Sequence, residues 1–336
     1  MHILAGASFF IIVKLLLKYR FDFRPIYIVR IVYILILSFL LSPFRIVEFI
    51  FYSKKIKNQN VVKDPVFIIG HWRSGTTYLH NLLCNDEQFG FISTFQAFIP
   101  KAFIIGNPIL KFGSSLSMPA KRPMDDVDVH PDYPQEDEFA ISNQSTMSLY
   151  NCLYFPSFSN ELAAKYLFFE TISSKELINW KKMYLLLIKK ITLANGGKQC
   201  MLKNPVNTCR IPVLLEMFPN AKFIYISRNA KETIASTKNM QLKFCEINSL
   251  ESYDSQEMEE NIVAMFYKME EIYKQDRMLI PTANLVEVNY SDLVFKTEKV
   301  MQQIYEQLQL EGYTFAKQNI DKYILLQKNY KRFEYK

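Results

Sequence analysis

The chain has 336 residues, a formal net charge of +7, 49% hydrophobic residues and 15% aromatics. That suffices for one large α/β domain with an appendage, or for two small domains. No Lys/Arg block is dense enough to argue for nucleic acid, so the modest positive charge suits anionic ligands or an acidic membrane face.

The five cysteines (Cys84, Cys152, Cys200, Cys209, Cys245) and four histidines (His2, His71, His80, His130) are scattered, without C-x-x-C or metal-ligand spacing. They argue against a disulfide framework and a metal centre, and favour a reducing, cytoplasmic compartment.

Residues 1–60 differ from the rest. Ile3 to Leu17 is apolar apart from Lys14, and Ile26 to Leu41 is apolar apart from Arg30. A basic-aromatic turn, Lys18 to Pro25, joins them. Neither run reaches the ~18–20 uncharged residues of a spanning helix, and the first lacks the charged start and small-residue cleavage site of a signal peptide. Two apolar helices so joined suit a hairpin in a membrane interface, placing the protein peripherally on the inner face through residues 1–50. In that arrangement Arg45, Lys54, Lys55 and Lys57 face headgroups, each contributing on the order of 1 kcal/mol on anionic lipid. A helical pair packed on the rest of the protein is the other reading. The lysines lie in a polar stretch, Ser53 to Asp64, that reads as a linker.

The most informative stretch follows. Val66 to Ile69 reads as a buried strand and ends at Gly70. A loop rich in cation and hydroxyl comes next (His71, Trp72, Arg73, Ser74, Gly75, Thr76, Thr77), then a helix from about Thr77 through Leu83. Strand, glycine loop and helix start together make an anion site, because loop N–H groups converge where the helix dipole is positive. Gly70-x4-Gly75 has the spacing of a P-loop, but Thr76 stands where a P-loop NTPase carries lysine, and the fixed cation is Arg73. The segment resembles the phosphosulfate-binding loop of the sulfotransferases that use 3′-phosphoadenosine 5′-phosphosulfate (PAPS). The resemblance implies that Arg73, Ser74, Gly75, Thr76 and Thr77 hold the 5′-phosphosulfate and that Tyr78 stacks on adenine. Read on its own, Tyr78 serves equally as a core aromatic, and His80 as a solvated helix residue.

The region 88–145 is rich in loop and proline, as expected of the substrate side of an α/β enzyme. Within it, Pro134-Gln135-Glu136-Asp137-Glu138-Phe139-Ala140 reads as a helix start with Pro134 first and acids in the first turn. Those acids complement the dipole whatever else they do. The string resembles a motif of the bacterial sulfotransferase branch, where one carboxylate takes the proton from the acceptor hydroxyl. Glu136 is the candidate base, with Asp137 and Glu138 as close competitors and His130 as a weaker one.

Leu202-Lys203-Asn204-Pro205 resembles a short family strand ending in lysine, which makes Lys203 the residue that stabilises the transferring group. Asn207 stands where relatives often carry histidine. Ile211 to Phe218 reads as a helix and Lys222 to Ile226 as a buried strand. Arg228 and Ser236, eight residues apart, match the family's 3′-phosphate site. Met258, Ile262, Met265, Phe266 and Met269 form a core stripe. Leu285 to Val288 reads as a strand, Asn289-Tyr290-Ser291-Asp292-Leu293 resembles the family's Y-[ED]-D-L segment, and Asp292 there reads as the cap of a helix from Leu293 to Leu310. The tail, residues 313–336, is basic and aromatic.

The resemblance spans about Pro65 to Leu310. It implies a P-loop-like α/β sandwich with a mainly parallel central sheet (residues 61–312), behind an apolar helical appendage (1–60). The implied enzyme is metal-free and moves a sulfuryl group from PAPS to a hydroxyl on a hydrophobic, lipid- or sterol-like, or carbohydrate acceptor. The alternatives are a P-loop nucleotide kinase or NTPase, and an inactive membrane-anchored nucleotide-binding protein.

Overall fold

The computed structural model describes residues 2–19, 21–122 and 127–327. Arg20, residues 123–126 before the acidic string, and residues 328–336 of the basic tail lie outside the described residues. In chain order the elements are α1 (Phe9–Lys18), α2 (Pro25–Leu40), α3 (Ser42–Asn58), β1 (Val66–Ile69), α4 (Thr76–Leu83), β2 (Phe89–Gly90), α5 (Thr94–Phe98), α6 (Ile109–Ser117), α7 (Asp137–Gln144), α8 (Ser159–Leu162) and α9 (Ser174–Ala194). Then come β3 (Gln199–Lys203), α10 (Ile211–Met217), β4 (Lys222–Ser227), α11 (Ala230–Asn248), α12 (Ser255–Asp276), β5 (Leu285–Asn289), α13 (Tyr290–Phe295), α14 (Thr297–Gln307) and α15 (Tyr313–Gln327).

The chain divides into two compact units, one of Met1–Asn60, Ile92–Ala194 and Lys238–Ile262, the other of Val61–Phe91, Asn195–Thr237 and Val263–Lys336. The second unit holds the whole sheet, five parallel strands in the order β2-β3-β1-β4-β5. β1 sits in the middle, pairing Ile68 with Lys203 on one side and Ile69 with Tyr225 on the other. Its four residues are fully buried, as a strand covered on both faces requires. Leu79, Leu82 and Leu83 of α4 pack under the sheet with Val66, Ile68, Ile224, Val286 and the α14 residues Val300, Met301 and Ile304. The strands expected at 66–69, 222–226 and 285–288 and the helices expected at 77–83 and 211–218 form within a residue of those limits, whereas the single helix expected from Leu293 to Leu310 is two, α13 and α14.

One cap is corrected. The side chain of Asn289, rather than Asp292, caps the helix after β5, accepting from the Ser291 N–H at 2.8 Å. Asp292 lies inside that helix and pairs with Lys296, and the helix ends at Phe295 before α14 begins.

In the first unit, residues 1–60 make three helices and a short 3-10 turn, Ile3–Gly6. The stretch 53–58, expected as linker, belongs to α3. Lys55 and Lys57 fall in its last turn, where cations complement the helix dipole. Pro43 enters at the start of α3, where a missing N–H costs nothing, and the chain bends by 40° between α2 and α3. Arg45 does not face outward as expected. It is buried, with its guanidinium donating to the carbonyls of Ser38, Gly6 and Ala7 at 2.6, 3.0 and 2.7 Å. Among the described residues no single helix is long and apolar enough to cross a membrane.

The helix after the proline in the acidic string starts later than expected, at Asp137. Pro134 is bridged to Ser93, and the Gln135 N–H donates to the Ile92 carbonyl at 2.9 Å, so residues 134–136 stay extended. Glu136 becomes the N-cap residue.

Candidate active site

Parallel strands that neighbour one another end on the same side of the sheet, so residues at or just past the ends of β3, β1 and β4 approach each other. They are Lys203, the loop 70–75, and Arg228. The loop is held tightly. Gly70 has φ 135°, and a Cβ there would lie 2.4 Å from the Ile226 carbonyl oxygen, so only glycine fits beside β4. The Gly70 N–H donates to Thr208 Oγ1 at 2.8 Å, and that hydroxyl donates to the Gly70 carbonyl at 3.1 Å. Ser74 Oγ donates to the His71 carbonyl at 2.7 Å and closes the turn.

Arg73 adopts a left-handed backbone, φ 67°, unusual for a non-glycine residue and consistent with a loop set for binding. Gly75, at φ 100°, is the N-cap residue of α4, and a Cβ there would strike the Tyr290 ring at 2.4 Å. The loop therefore winds around a left-handed arginine and releases the chain into α4 with Thr76 and Thr77 at the helix start. This is the N–H-rich, positive end of a helix dipole.

The cations gather around this loop. Arg73 Nε donates to Ser236 Oγ at 2.8 Å, which joins the β1 loop to α11. The Arg228 guanidinium donates to the Arg73 carbonyl at 3.2 Å and to Glu232 Oε2 at 3.0 and 2.8 Å, and lies 4.5 Å from the centre of the Tyr290 ring. Lys203, almost fully buried, brings Nζ to 3.4 Å from Thr77 Oγ1. Arg73, Ser74, Gly75, Thr76, Thr77, Lys203, Arg228 and Ser236 thus come together in one unit. Tyr78 lies one turn into α4, half-buried, and packs against the sheet's hydrophobic core.

Two histidines lie close by. His71 is enclosed against Phe266, and burial pushes its pKa down to about 4, a shift that its hydrogen bond to the Trp72 carbonyl opposes. His80 is fully buried rather than solvated as its helix position suggested. Burial, and then the charge of Lys203, lower its pKa to about 3.

The acids of the 134–140 string belong to the other unit, and each has a different partner. Asp137 is fully buried and accepts from the Tyr184 hydroxyl at 2.6 Å. Glu138, also fully buried, accepts from Ser148 Oγ at 2.7 Å. Glu136 retains partial exposure and accepts from the Tyr150 hydroxyl. His130 is a surface residue beside Asp132 and Tyr133. Burial therefore separates the three acids. Glu136 is the one that combines access with a hydroxyl partner.

Several residues of this region were not foreseen. Glu232 reaches Arg228 across one turn of α11, an i,i+4 relation to Arg228 that was visible in the sequence. Tyr290, beneath both Gly75 and Arg228, follows β5's end in a segment that resembles a family motif, but its place against the loop was not foreseen. Tyr150 and Thr208 likewise act only through tertiary contact. Among the described residues, no group of three or more His, Cys, Asp or Glu side chains is arranged to hold a metal ion.

The fold and this strand-end cluster define a class, and comparison with known proteins agrees. A model of the sulfotransferase family matches residues 65–314, and the chain belongs to that family. It is an enzyme that transfers a sulfuryl group. Among its relatives are the omega-hydroxy-beta-dihydromenaquinone-9 sulfotransferases Stf3 of Mycobacterium tuberculosis and Mycobacterium bovis. Each is 28% identical over 289 residues, covering 85% of this chain and 73% of the relative. Among solved structures, sulfotransferase STF9 from Mycobacterium avium superposes with a TM-score of 0.68 at 18% identity, covering 87% of this chain and 75% of that one. Sulfotransferase STF1 from Mycobacterium tuberculosis gives 0.64 at 20% identity, covering 83% and 75%. At that identity the two structures speak for the α/β fold with its parallel sheet.

Proposed function

We propose that this sulfotransferase takes its sulfuryl group from PAPS and passes it to a hydroxyl on a hydrophobic, lipid-like acceptor, working peripherally on the inner face of a membrane. The observation that carries the donor assignment is the convergence of Arg73, Lys203, Arg228 and Ser236 on one glycine loop, with threonine where an NTPase loop has lysine. The residues fit a doubly anionic nucleotide. The backbone of the loop is fixed by Gly70 and Gly75, and the two arginines already share contacts that a phosphate can join.

PAPS supplies an activated sulfuryl group on a phosphate leaving group. Arg73, Ser74, Gly75, Thr76 and Thr77 would hold its 5′-phosphosulfate, and Arg228 with Ser236 its 3′-phosphate. Tyr78, which packs against the core and stays half-buried, would stack on adenine with the face it leaves open. Lys203 would stabilise negative charge collecting on the departing phosphate oxygen, its buried position strengthening that interaction. Glu136 would accept the proton of the acceptor hydroxyl, and the Tyr150 hydroxyl orients its carboxylate. No step needs a metal, because Arg and Lys supply the neutralising charge.

The Stf3 relatives are named for a hydroxylated menaquinone, a long apolar alcohol, and this supports a lipid-like acceptor here. Incubation with radiolabelled PAPS and separate lipid, glycan and small-phenol extracts tests it. Label is expected in the lipid fraction, and Glu136→Gln should lower turnover ~10²-fold or more with nucleotide binding intact. Label confined to glycans or phenols would refute the acceptor assignment. Near-normal turnover in the variant would remove Glu136 as the base.

A further inference from the structure

In a helix on a water-facing surface the charged residues point outward and the apolar stripe inward. α3 does the opposite. Its two mid-helix charges, Arg45 and Glu48, are both buried. Arg45 is tied to three backbone carbonyls of residues 6–38, and Glu48 accepts from the N–H groups of Ile104 and Ile105 at 2.6 and 3.1 Å and pairs with the Lys190 ammonium. These bonds fix the rotation of the helix. Phe49 and Ile50 are left 72% and 64% exposed as a consequence of where the charges are anchored.

The neighbouring helices repeat the pattern. On α2 the buried positions are Ile31, Ile34 and Ser38, and the exposed ones carry no charge, among them Val29, Ile36 and Phe39. On α6, Phe112 is exposed while Leu110 joins the cluster that includes Phe44 of α3. α2, α3 and α6 therefore belong to one packed body within this unit, each with an apolar outer side.

Charge decides what covers that side. Between Asp22 and Asp64 the only acid is Glu48, which is inside. Along α2 and α3 the exposed charges are Arg24, which pairs with Asp22, and the lysines Lys54, Lys55 and Lys57 at the end of α3; on α6, Lys111 pairs with the exposed Asp132. Apposed on α2 and α3, a second copy of this chain would bring the same lysine-tipped surface, whose one acid, Glu48, is buried, and no partner for the lysines. Anionic headgroups do supply one. Neither helix alone is long and apolar enough to span, and the pair is so only across a 40° bend, a geometry that we read as helices lying in the plane of the interface.

We propose that the outer side of α2, α3 and α6 is a docking surface for an anionic lipid bilayer. Phe39, Phe49 and Phe112 would enter the acyl boundary, and Lys54, Lys55 and Lys57 would meet headgroups. The proposal makes specific the membrane reading above and rests on it for where the enzyme works, though not for which acceptor it sulfates.

The test is cosedimentation of the full chain with vesicles of phosphatidylcholine, with and without phosphatidylglycerol. A thermal shift with 3′-phosphoadenosine 5′-phosphate (PAP) monitors the fold and the donor site in every variant. The wild type should sediment with the anionic vesicles. Phe39→Asp combined with Phe49→Asp and Phe112→Asp should cut vesicle binding about tenfold or more, and Lys54→Glu with Lys55→Glu and Lys57→Glu should abolish the preference for phosphatidylglycerol. PAP should stabilise all of them equally.

Failure of the wild type to bind either vesicle overturns the proposal, as does undiminished binding by the aspartate variant. A wild-type dimer that the aspartates dissociate, with no vesicle binding, would assign the surface to a second copy and overturn it too. Vesicle binding without label in any lipid supports the docking surface while removing the lipid acceptor, so the two readings fail separately.

Discussion

Arg228 offers the sharpest test of the donor site. Its guanidinium is committed to the Arg73 carbonyl, to Glu232 and to the face of Tyr290, so replacing it has consequences that can be ordered in size. A hydrogen bond from a charged donor to a phosphate contributes ~1.5–3 kcal/mol, equivalent to about 10- to 150-fold in binding. The pair with Glu232 offsets little of this. Glu232 is 59% exposed, and an exposed pair of this kind is worth about 0–1 kcal/mol. Arg228→Ala should therefore raise the KM for PAPS and the Kd for PAP about 10- to 150-fold while leaving the acceptor KM near its wild-type value. Arg228→Lys should recover only part of the loss, because an ammonium is a point charge and cannot serve the Arg73 carbonyl and a phosphate with a planar fork. Glu232→Gln should act in the opposite direction, tightening PAP by up to about fivefold, because it removes the carboxylate that competes for the guanidinium. Initial rates with each substrate varied at saturating levels of the other, together with calorimetric titration of PAP, measure all three. If Arg228→Ala keeps its thermal midpoint but raises both KM values equally, or leaves PAP affinity unchanged, Arg228 does not hold the 3′-phosphate.

Two further outcomes follow from the same geometry. Lys203→Met preserves much of the buried stem's volume but removes the ammonium beside Thr77. It should lower kcat by ~10²–10³-fold with little change in PAP affinity, and an effect confined to KM would make Lys203 a binding residue only. His71 and His80 are buried neutral, with pKa values pushed down to about 4 and about 3 from an ordinary 6.5. The unfolded chain therefore binds protons at a pH where the folded one does not. Their contribution to stability is fully present above about pH 6.5 and is lost as pH falls toward the folded values, with a slope of up to about 3 kcal/mol per pH unit. Urea midpoints measured between pH 7.5 and 5 should drop accordingly, less steeply in His80→Gln; a pH-independent midpoint would contradict the buried, neutral imidazoles.

The donor loop was legible because its chemistry is local. Gly70, Arg73, Gly75 and the following threonines lie within eight residues, and a strand ending in glycine before a helix has few other physical readings. The strands themselves were legible from apolar runs such as Val66 to Ile69 and Lys222 to Ile226, since a parallel strand covered on both faces needs unbroken hydrophobicity. Tyr290 and Glu232 were not. Each reaches Arg228 through the order of the strands or the pitch of a helix; Glu232 belongs to no motif, and the segment around Tyr290 resembles one but suggested only a helix cap. The acidic string shows an intermediate case. Its residue types pointed to a helix start, but the bridge from Pro134 to Ser93, 41 residues earlier, decides that the helix begins at Asp137, and this leaves Glu136 as the accessible acid.

The N-terminal helices show a different limit. Composition revealed that Ile26 to Leu41 is apolar apart from Arg30, but a helix pattern read on its own assigns charge to the outside, and by that rule Arg45 faces solvent or headgroups. The structure reverses it because Arg45 and Glu48, three residues apart and so on one face of α3, find carbonyls, N–H groups and Lys190 that lie as far as 142 positions away. A buried ion pair of this kind is a poor source of stability, since desolvation cancels much of the attraction. Its consequence is orientational. With both charges satisfied inward, α3 cannot rotate to hide Phe49 and Ile50 without breaking the Glu48–Lys190 pair, a cost of about 3–5 kcal/mol, and stripping Arg45 of its carbonyls as well. The apolar outer side is held in place by electrostatics, so what it contacts must be a property of the surroundings rather than of the fold.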